Sequence, residues 1–458
     1  MRTFLSERLL RILVVSGCLC TVASVSVHAE EAGFQAALVL AKNHDPEFEF
    51  ARQRFLSEQE EDDIALSNLL PSISMEGVYR RQVVDDIYTD ESSSYHNSEL
   101  ARSDRHQSDS SLRLNLRQPL INVAAWKGYK RDQVVTEQSE YVYRRAEQEI
   151  TYRLAKAYLE TLLAEQKTHI YKEKLTTLQL KVGQENRRLE LGVGDRLSVL
   201  RIKASRDLAQ SDLLEANSAL DDARTRLENI TGERIDIPAE WIKASFQVIP
   251  VLSTGTLDEW TEKTAENAQV LAELASVRKT ELDLSAKKAE RLPTLDFNLA
   301  ASRNYSDDVF EERTDLVASI NLKLPLYTGG RVSAFARRAE ADHYAARARY
   351  EKTRSDTMQV VKLAFNRLVS FKERLEALEG SRKSSQAFLT AAEREVSLSL
   401  ASQIDVLEMR DDLYDVQLEF ATTMTEYLGA ELDLRLETGM LGAAMLSQFD
   451  TFFDSQIQ

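Results

Sequence analysis

The sequence predicts a mainly α-helical chain with a membrane β-barrel portion, built as two structural repeats. Three observations predict this fold class. Short motifs recur at a nearly constant distance, four segments alternate between apolar and polar residues, and the stretches 120–237 and 326–458 contain none of the 7 prolines. Because proline lacks an N–H and interrupts helices, stretches without it permit very long helices.

The first element along the chain is a targeting segment. Arginines flank a hydrophobic run that begins at Leu9, and small residues precede a cleavage position after Ala29. We therefore predict a signal peptide over residues 1–29. The alternative is a lipoprotein motif in which Cys18 carries a lipid. The apolar residues after Cys18 favour cleavage after Ala29, which removes both cysteines of the chain, but the lipidation of Cys18 stays open.

The overall charge excludes one class of partner. Lys and Arg number 58 against 74 Asp and Glu, which gives a net charge of −16. Nucleic-acid phosphates would be repelled by such a chain. We therefore expect no nucleic-acid partner.

The duplication of the chain sets its domain organisation. The motif Leu70-Pro71 recurs 222 residues later, the segment Leu114–Leu120 recurs 206 residues later, and Thr231-Gly232 recurs 207 residues later. Internal repeats at fixed distances indicate a repeated structural unit. The predicted domains are a first repeat (30–232), an inter-repeat linker (233–256), a second repeat (257–439) and a C-terminal tail (440–458).

Each repeat is expected to contain a helix, two strands, a very long helix, a turn and a returning helix. The distance between prolines 71 and 119 in the first repeat is 16 residues longer than the distance between prolines 293 and 325 in the second. We place these extra residues in an exposed loop within Asp85–Asp109, because that stretch is rich in polar residues.

The four alternating segments are predicted to be membrane strands. Their apolar positions are Ile73, Met75 and Tyr79, then Leu112, Leu114 and Leu116, then Leu295, Phe297 and Leu299, and finally Leu316, Ile320, Leu322 and Leu324. Alternation with period two gives one apolar and one polar face, and a tilted membrane strand needs about 9–11 residues. Because four strands cannot close a barrel and a bilayer forbids open edges, several chains must share one barrel. The alternative is a soluble antiparallel sheet on a helical layer.

The two long helices are predicted over 122–191 and 329–398, and each is followed by a returning helix with a heptad pattern. In the second repeat the pattern includes Val406, Leu413, Phe420 and Tyr427, and in the first it is interrupted by Arg206. A sustained heptad is typical of coiled-coil packing. A filamentous coiled coil would not account for the strands.

At this point the chain resembles the TolC family of outer-membrane channel proteins along nearly its whole length. The resemblance lies in the segment Ala41–Phe48, the paired Leu-Pro motifs, the segment Pro325–Arg331 and the turn Leu191–Leu200. The chain departs from the family at Ser399, where a glycine is usual, and at Ser198, where many relatives have an acidic residue.

This resemblance implies a homotrimer, a twelve-stranded barrel in the outer membrane and a helical tunnel in the periplasm. It also implies two partners, a periplasmic adaptor protein and an inner-membrane transporter, together with outer-membrane lipid. The adaptor would dock on the two helical tips. The tip residues are Gly192, Val193, Gly194 and Asp195 in the first repeat and Ser399, Leu400, Ala401 and Ser402 in the second.

The candidate gate is acidic. Asp405 and Glu408 lie three residues apart on one helix face, so a symmetric trimer would bring six carboxylates together near the closed end. Such a ring attracts cations. Arg201 occupies the position of Glu408 in the other repeat, and we predict that it pairs with Asp405 or Glu408 and helps to close the entrance. Solvated surface charges are the alternative for all three residues.

The sequence offers no enzyme site and no cofactor motif. The 6 histidines lack paired metal-ligand spacing, and no phosphate-binding loop is present. The predicted function is the exit channel of an efflux or type I secretion system, and the sequence does not separate the two. The alternatives are a periplasmic coiled-coil adaptor and, less favoured, a porin.

Overall fold

The computed structural model describes residues 34–87, 102–237, 246, 249–250, 255–306, 313–397 and 403–442. The predicted signal peptide lies outside these residues, as do Ser399, Leu400, Ala401 and Ser402 of the second tip.

Helices make up most of the described chain. They are α1 (Phe34–His44), α2 (Pro46–Ser67), α3 (Val123–Glu190), α4 (Arg196–Thr231), α5 (Leu257–Lys263), α6 (Ala268–Ala289), α7 (Arg331–Ser397) and α8 (Gln403–Glu437), with a 3-10 turn at Thr264–Glu266. The two long helices, α3 and α7, have 68 and 67 residues, which confirms their prediction. At 1.5 Å per residue each measures about 100 Å. Among the described residues, no helix combines the length and apolar character needed to cross a membrane.

The repeats share their helix-capping residues. Asp45 and Asn267 are both buried N-cap residues, 222 positions apart, and the helices that follow them, α2 and α6, each have 22 residues. At the other end of each repeat, Gly232 and Gly439 adopt φ angles of 77° and 72°. Glycine tolerates this left-handed geometry without steric strain, so it ends both returning helices.

The strands form one antiparallel sheet in the order β1-β2-β3-β4. They span β1 (Ser72–Ile87), β2 (Arg102–Ile121), β3 (Thr294–Ser306) and β4 (Arg313–Lys323). Pro119 lies at the irregularity near the end of β2, where a missing N–H is tolerated.

The predicted loop within Asp85–Asp109 is wrong at both of its ends. Strand β1 continues to Ile87 and β2 begins at Arg102, in a ladder that pairs Asp85 with Asp104. Polar composition suggested a loop, but cross-strand hydrogen bonds satisfy the backbone of polar segments equally well. The remaining residues of the interval, 88–101, lie outside the described part of the chain.

The main core lies in the middle of the helical region. It joins the start of α1, the middle of α3 and the C-terminal half of α8, and it includes Tyr158, Phe420 and Met424, each at most 1% exposed. The end of α8 is also held by polar contacts. Arg145 of α3 donates to Glu437 over 2.8 Å, and the Asn267 amide donates to the Glu437 carbonyl over 2.9 Å.

Candidate functional site

The sheet has two chemically different faces. The register places Ile73, Leu116, Leu299 and Ala318 in one row across all four strands, and Met75, Leu114, Ala301 and Leu316 in the next row of the same face. The opposite face carries rows such as Glu76, Arg113, Ser302 and Asp315. The sheet therefore suits an apolar medium on one side and water on the other.

Ion pairing crosses the two halves of the sheet on the polar face. Arg117 of β2 lies 3.4 Å from Asp296 of β3, although they are far apart in sequence. The Arg117 side chain is well exposed, so the pair is worth about 0–1 kcal/mol. Its main effect is to favour one register between the halves.

The first tip is a tight turn that depends on two glycines. Gly192 has a φ angle of 74°, and its N–H donates to the carbonyl of Leu189, while the N–H of Val193 donates to the carbonyl of Arg188, both over 3.0 Å. This is the Schellman arrangement that ends a helix at a left-handed residue. At Gly194 a Cβ atom would lie 2.6 Å from the backbone nitrogen of Leu189, so no other residue fits without a shift.

Asp195 starts the returning helix α4. Its side chain accepts a hydrogen bond from the N–H of Ser198 over 3.1 Å. The pKa of Asp195 is lowered from its usual value of 3.8, chiefly by the backbone N–H groups of Leu197 and Ser198. The carboxylate therefore stays charged at the helix N-terminus, where negative charge is favourable.

The first tip also exposes apolar side chains. Leu191, Val193 and Leu197 are 78%, 68% and 73% exposed, and Leu200 is also exposed. Contiguous apolar residues at the end of a protruding hairpin are typical of a protein-interaction surface.

The two hairpins touch along one face of α8 near the tips. Leu407 packs with Leu178, Val182 and Ile202 of the first hairpin in a small apolar cluster. One and two turns further along α8, Asp411 lies 3.4 Å from Lys174, and the Tyr414 hydroxyl lies 3.3 Å from that of Thr177. These contacts join the two helical hairpins near their tips.

Asp411 in this contact has a raised pKa. Burial raises its pKa, the nearby Lys174 opposes the rise, and Asp415 and Asp412 add to it. Asp411, Lys174 and Tyr414 were not predicted from the sequence. The spacing of Leu407, Asp411 and Tyr414 by four and three residues was the available signal, because these positions share a helix face.

The predicted gate residues Arg201 and Glu408 lie together. A guanidinium nitrogen of Arg201 on α4 is 3.1 Å from a carboxylate oxygen of Glu408 on α8, and both side chains are 60% exposed. Asp405 lies one turn before Glu408 on α8, and its side chain is outside the described part of the chain. An exposed pair of this kind contributes about 0–1 kcal/mol, so it can open easily.

No metal site is found in the part of the chain that the structure describes, where no group of three or more His, Cys, Asp or Glu side chains could hold an ion.

Comparison with known families decides the identity of the fold. The sequence model described as outer membrane efflux protein matches residues 37–233 and 261–440. The chain belongs to this family. Its members are channel proteins rather than enzymes, and membership confirms the resemblance, the mainly helical fold with barrel strands, and the location in the outer membrane with helices in the periplasm. This efflux-family protein is an outer-membrane exit channel.

Individual relatives agree with this assignment. The chain is 25% identical over 442 residues to the proteases secretion protein PrtF of Dickeya chrysanthemi, covering 93% of this chain and 92% of the relative. It is 25% identical over 356 residues to the outer membrane protein TolC of Vibrio cholerae, covering 75% and 80%. In structure it is similar to the MtrE outer membrane channel of Neisseria gonorrhoeae, with a TM-score of 0.73, 16% identity and coverage of 89% and 88%.

Proposed function

We propose that the channel is a homotrimer whose three sheets close a twelve-stranded barrel and whose helices form a periplasmic tunnel. The single observation that carries this proposal is the two-faced sheet. Among the described residues, β1 pairs with β2 alone and β4 with β3 alone, so both edges of the sheet offer free backbone groups. In a bilayer such edges must be paired, and three copies supply twelve strands. Native mass spectrometry of the detergent-purified protein tests the trimer; a monomer without bound detergent would refute it.

The barrel would expose its apolar face to outer-membrane lipid and its polar face to the pore. Energy would come from an inner-membrane transporter, connected through a periplasmic adaptor protein. The exposed Leu191, Val193 and Leu197 of the first tip support an adaptor contact there. Replacing all three by serine should abolish export while the trimer and its folded helices persist.

The exported substrate is a polypeptide in this proposal, as in a type I secretion system. The support is the length of the match: the relative named for protease secretion aligns with 93% of the chain, and TolC of Vibrio cholerae aligns with 75%. Deleting the gene should remove one or more proteins from the culture medium and leave drug susceptibility unchanged.

Small-molecule efflux is the second candidate, supported by the description of the family as outer membrane efflux protein. It predicts the opposite phenotype on deletion: unchanged secretion and increased susceptibility to toxic compounds. The adaptor alternative is not supported, since the chain has two long helical hairpins, each preceded by a pair of strands, and belongs to a channel family.

The gate in this proposal consists of Arg201, Glu408 and Asp405 near the entrance. In a symmetric trimer, three Arg201–Glu408 pairs would hold neighbouring helices together, and the acidic residues would favour cations. Opening would separate α4 from α8 and would also stretch the contacts of Asp411 and Tyr414 with α3.

Arg201→Ala tests this gate. The variant should increase the conductance of reconstituted channels, because each lost pair shifts the opening equilibrium by up to about fivefold. The matched control is Arg226→Ala, which removes an exposed pair with Glu160 at 3.8 Å within the first hairpin alone. Unchanged conductance in Arg201→Ala, or an equal rise in the control, would refute the role of the Arg201–Glu408 pair in closing the gate. Glu408→Gln should in addition reduce the preference for cations.

A further inference from the structure

The two β-hairpins of the sheet, β1–β2 and β3–β4, share one register. Adding 222 to a residue number of β1 gives its equivalent in β3, and adding 206 to one of β2 gives its equivalent in β4. These shifts convert the observed pair Ser72–Arg117 into the pair Thr294–Lys323, which is also observed. They reproduce every pair between β3 and β4. The duplication is therefore exact in the pairing of the strands.

The two β-hairpins meet where β2 pairs with β3, and we call this contact the internal seam. There Arg117 lies opposite Asn298, Leu114 opposite Ala301 and Leu112 opposite Arg303. Because β4 is the equivalent of β2, and β1 is the equivalent of β3, this seam is a template for pairing β4 with β1. Such pairing is geometrically impossible within one four-stranded sheet, since the two strands lie at opposite edges.

We propose that β4 of one subunit pairs with β1 of the next subunit in the register that places Lys323 opposite Glu76. The proposal rests on the homotrimer proposed above and specifies its interface. The same shifts place Leu322 opposite Gly77, Ile320 opposite Tyr79 and Leu316 opposite Val83. The partner surface is therefore a second copy of this chain.

The chemistry of the predicted pairs fits both faces of the sheet. Lys323 and Glu76 carry opposite charges, and Glu76 lies in a row of the polar face. Ile320 with Tyr79 and Leu316 with Val83 are apolar pairs on the other face. A slip by one residue would place Lys323 opposite Met75 or Gly77 and exchange the faces of one strand. A slip by two would place it opposite Ser74 or Val78 and lose the charge pair.

Exposure along the free edges supports a missing neighbour. Met75 and Leu322 are 73% and 70% exposed, whereas their equivalents at the internal seam, Phe297 and Leu116, are partly buried. Beyond the end of β4, Tyr327 is 89% exposed and its equivalent Ile121 is 51% exposed. Each position is thus less exposed beside the internal seam than at a free edge of the sheet.

The helices beside the sheet repeat the same difference. Phe50 and Ile64 of α2 are 66% and 56% exposed, while their equivalents in α6, Ala272 and Ala286, are buried. Inside the chain α6 packs against α3, the helix that follows β2. The equivalent contact places α2 against α7 of the neighbouring subunit, so the interface continues from the sheet into the helices.

Cysteine cross-linking tests the register. The only cysteines, Cys18 and Cys20, fall within the predicted signal peptide, so the mature chain provides a clean background. The double variant Lys323→Cys with Glu76→Cys should form covalent trimers on oxidation with copper phenanthroline, seen on non-reducing denaturing gels. Directly opposite residues in a sheet have Cα separations that a disulfide tolerates.

The control displaces one cysteine by two residues on the same face, as Lys323→Cys with Val78→Cys. It should cross-link at least about tenfold less, because diagonal positions lie farther apart. Stronger linking of the control, or none by the matched pair in intact trimers, would overturn the register and leave the homotrimer standing. Absence of trimers in native mass spectra of the unmodified protein would instead overturn the homotrimer itself.

A charge exchange gives an independent measurement. Lys323→Glu and Glu76→Lys should each lower the temperature at which the trimer dissociates in detergent, because each places like charges opposite one another. The double variant should recover most of the loss. A double variant that shows the sum of the two losses would overturn the pairing of these residues.

Discussion

The two returning helices, α4 and α8, have almost the same length but different surroundings. α4 has 36 residues and packs mainly along α3, whereas α8 has 35 residues and packs along α7 and also against α3. Three of the buried heptad residues of α4 are the alanines Ala209, Ala216 and Ala223. The buried residues of α8 include Phe420, Met424 and Tyr427.

Two helices with the same heptad pattern can therefore bury different amounts of apolar side chain. The heptad pattern specifies an apolar stripe on each helix, but the second partner of α8 comes from the other repeat. We therefore expect the second helical hairpin to contribute more than the first to the free energy of unfolding.

The largest effect is expected when equivalent positions of α8 and α4 are both changed to alanine. Phe420→Ala should lower the free energy of unfolding by about 3–5 kcal/mol, because the side chain is 1% exposed in the main core. The equivalent change Leu213→Ala on α4, where the side chain is only partly buried, should cost about 1–2 kcal/mol. Thermal unfolding followed by circular dichroism measures both, and equal losses would contradict the comparison.

The next test addresses the first tip. Gly194→Ala should destabilise the turn by about 1–3 kcal/mol, because the new Cβ would lie 2.6 Å from a backbone nitrogen. The control Gly183→Ala lies in α3, where a Cβ would meet nothing within 4 Å, and should be neutral or stabilising by up to about 1 kcal/mol. Limited proteolysis at the tip measures the local effect. Equal cleavage of both variants would show that the turn tolerates a side chain.

The smallest expected effect is the change of local stability with pH. The raised pKa of Asp411 means that its contribution to stability is fully present below 3.8 and is lost as pH rises through the raised value. The lowered pKa of Asp195 means that its contribution is present above 3.8 and is lost as pH falls through the lowered value. Acidification towards the ordinary value should thus strengthen the contact of α8 with α3 and leave the first tip intact.

Hydrogen exchange, corrected for its intrinsic pH dependence, reports both regions through peptides covering 188–200 and 403–414. Asp411→Asn should remove the response of the second peptide and leave that of the first unchanged. A response of the second peptide that persists in this variant would assign it to another group.

Much of the fold could be predicted from the sequence, because its strongest signals are periodic. The sequence predicted the first long helix over 122–191, and α3 spans Val123–Glu190 because Asn122 and Leu191 are its caps. The repeat distance of 207 made Arg201 and Glu408 equivalent positions, and the sequence predicted that Arg201 pairs with an acidic residue of α8. The proposed role of that pair in gating stays a prediction.

The rest depended on tertiary neighbours. The pairing of Lys174 with Asp411 requires knowledge of which helices adjoin, and heptads on both returning helices permit several arrangements. Arg206, which interrupts the first heptad, is half-buried and pairs with the adjacent Asp207. The extended ladder at Asp85–Ile87 was missed because polar strands resemble loops in composition.

The length of α3 has a mechanical consequence. A helix of 68 residues without proline behaves as a stiff lever, and a tilt of about 5° at its sheet end would displace the far end by about 9 Å. A motion that is barely visible at the bilayer would exceed the reach of any single side chain at the opposite end. A small rotation made far away would therefore be enough to break the weak ion pairs at that end.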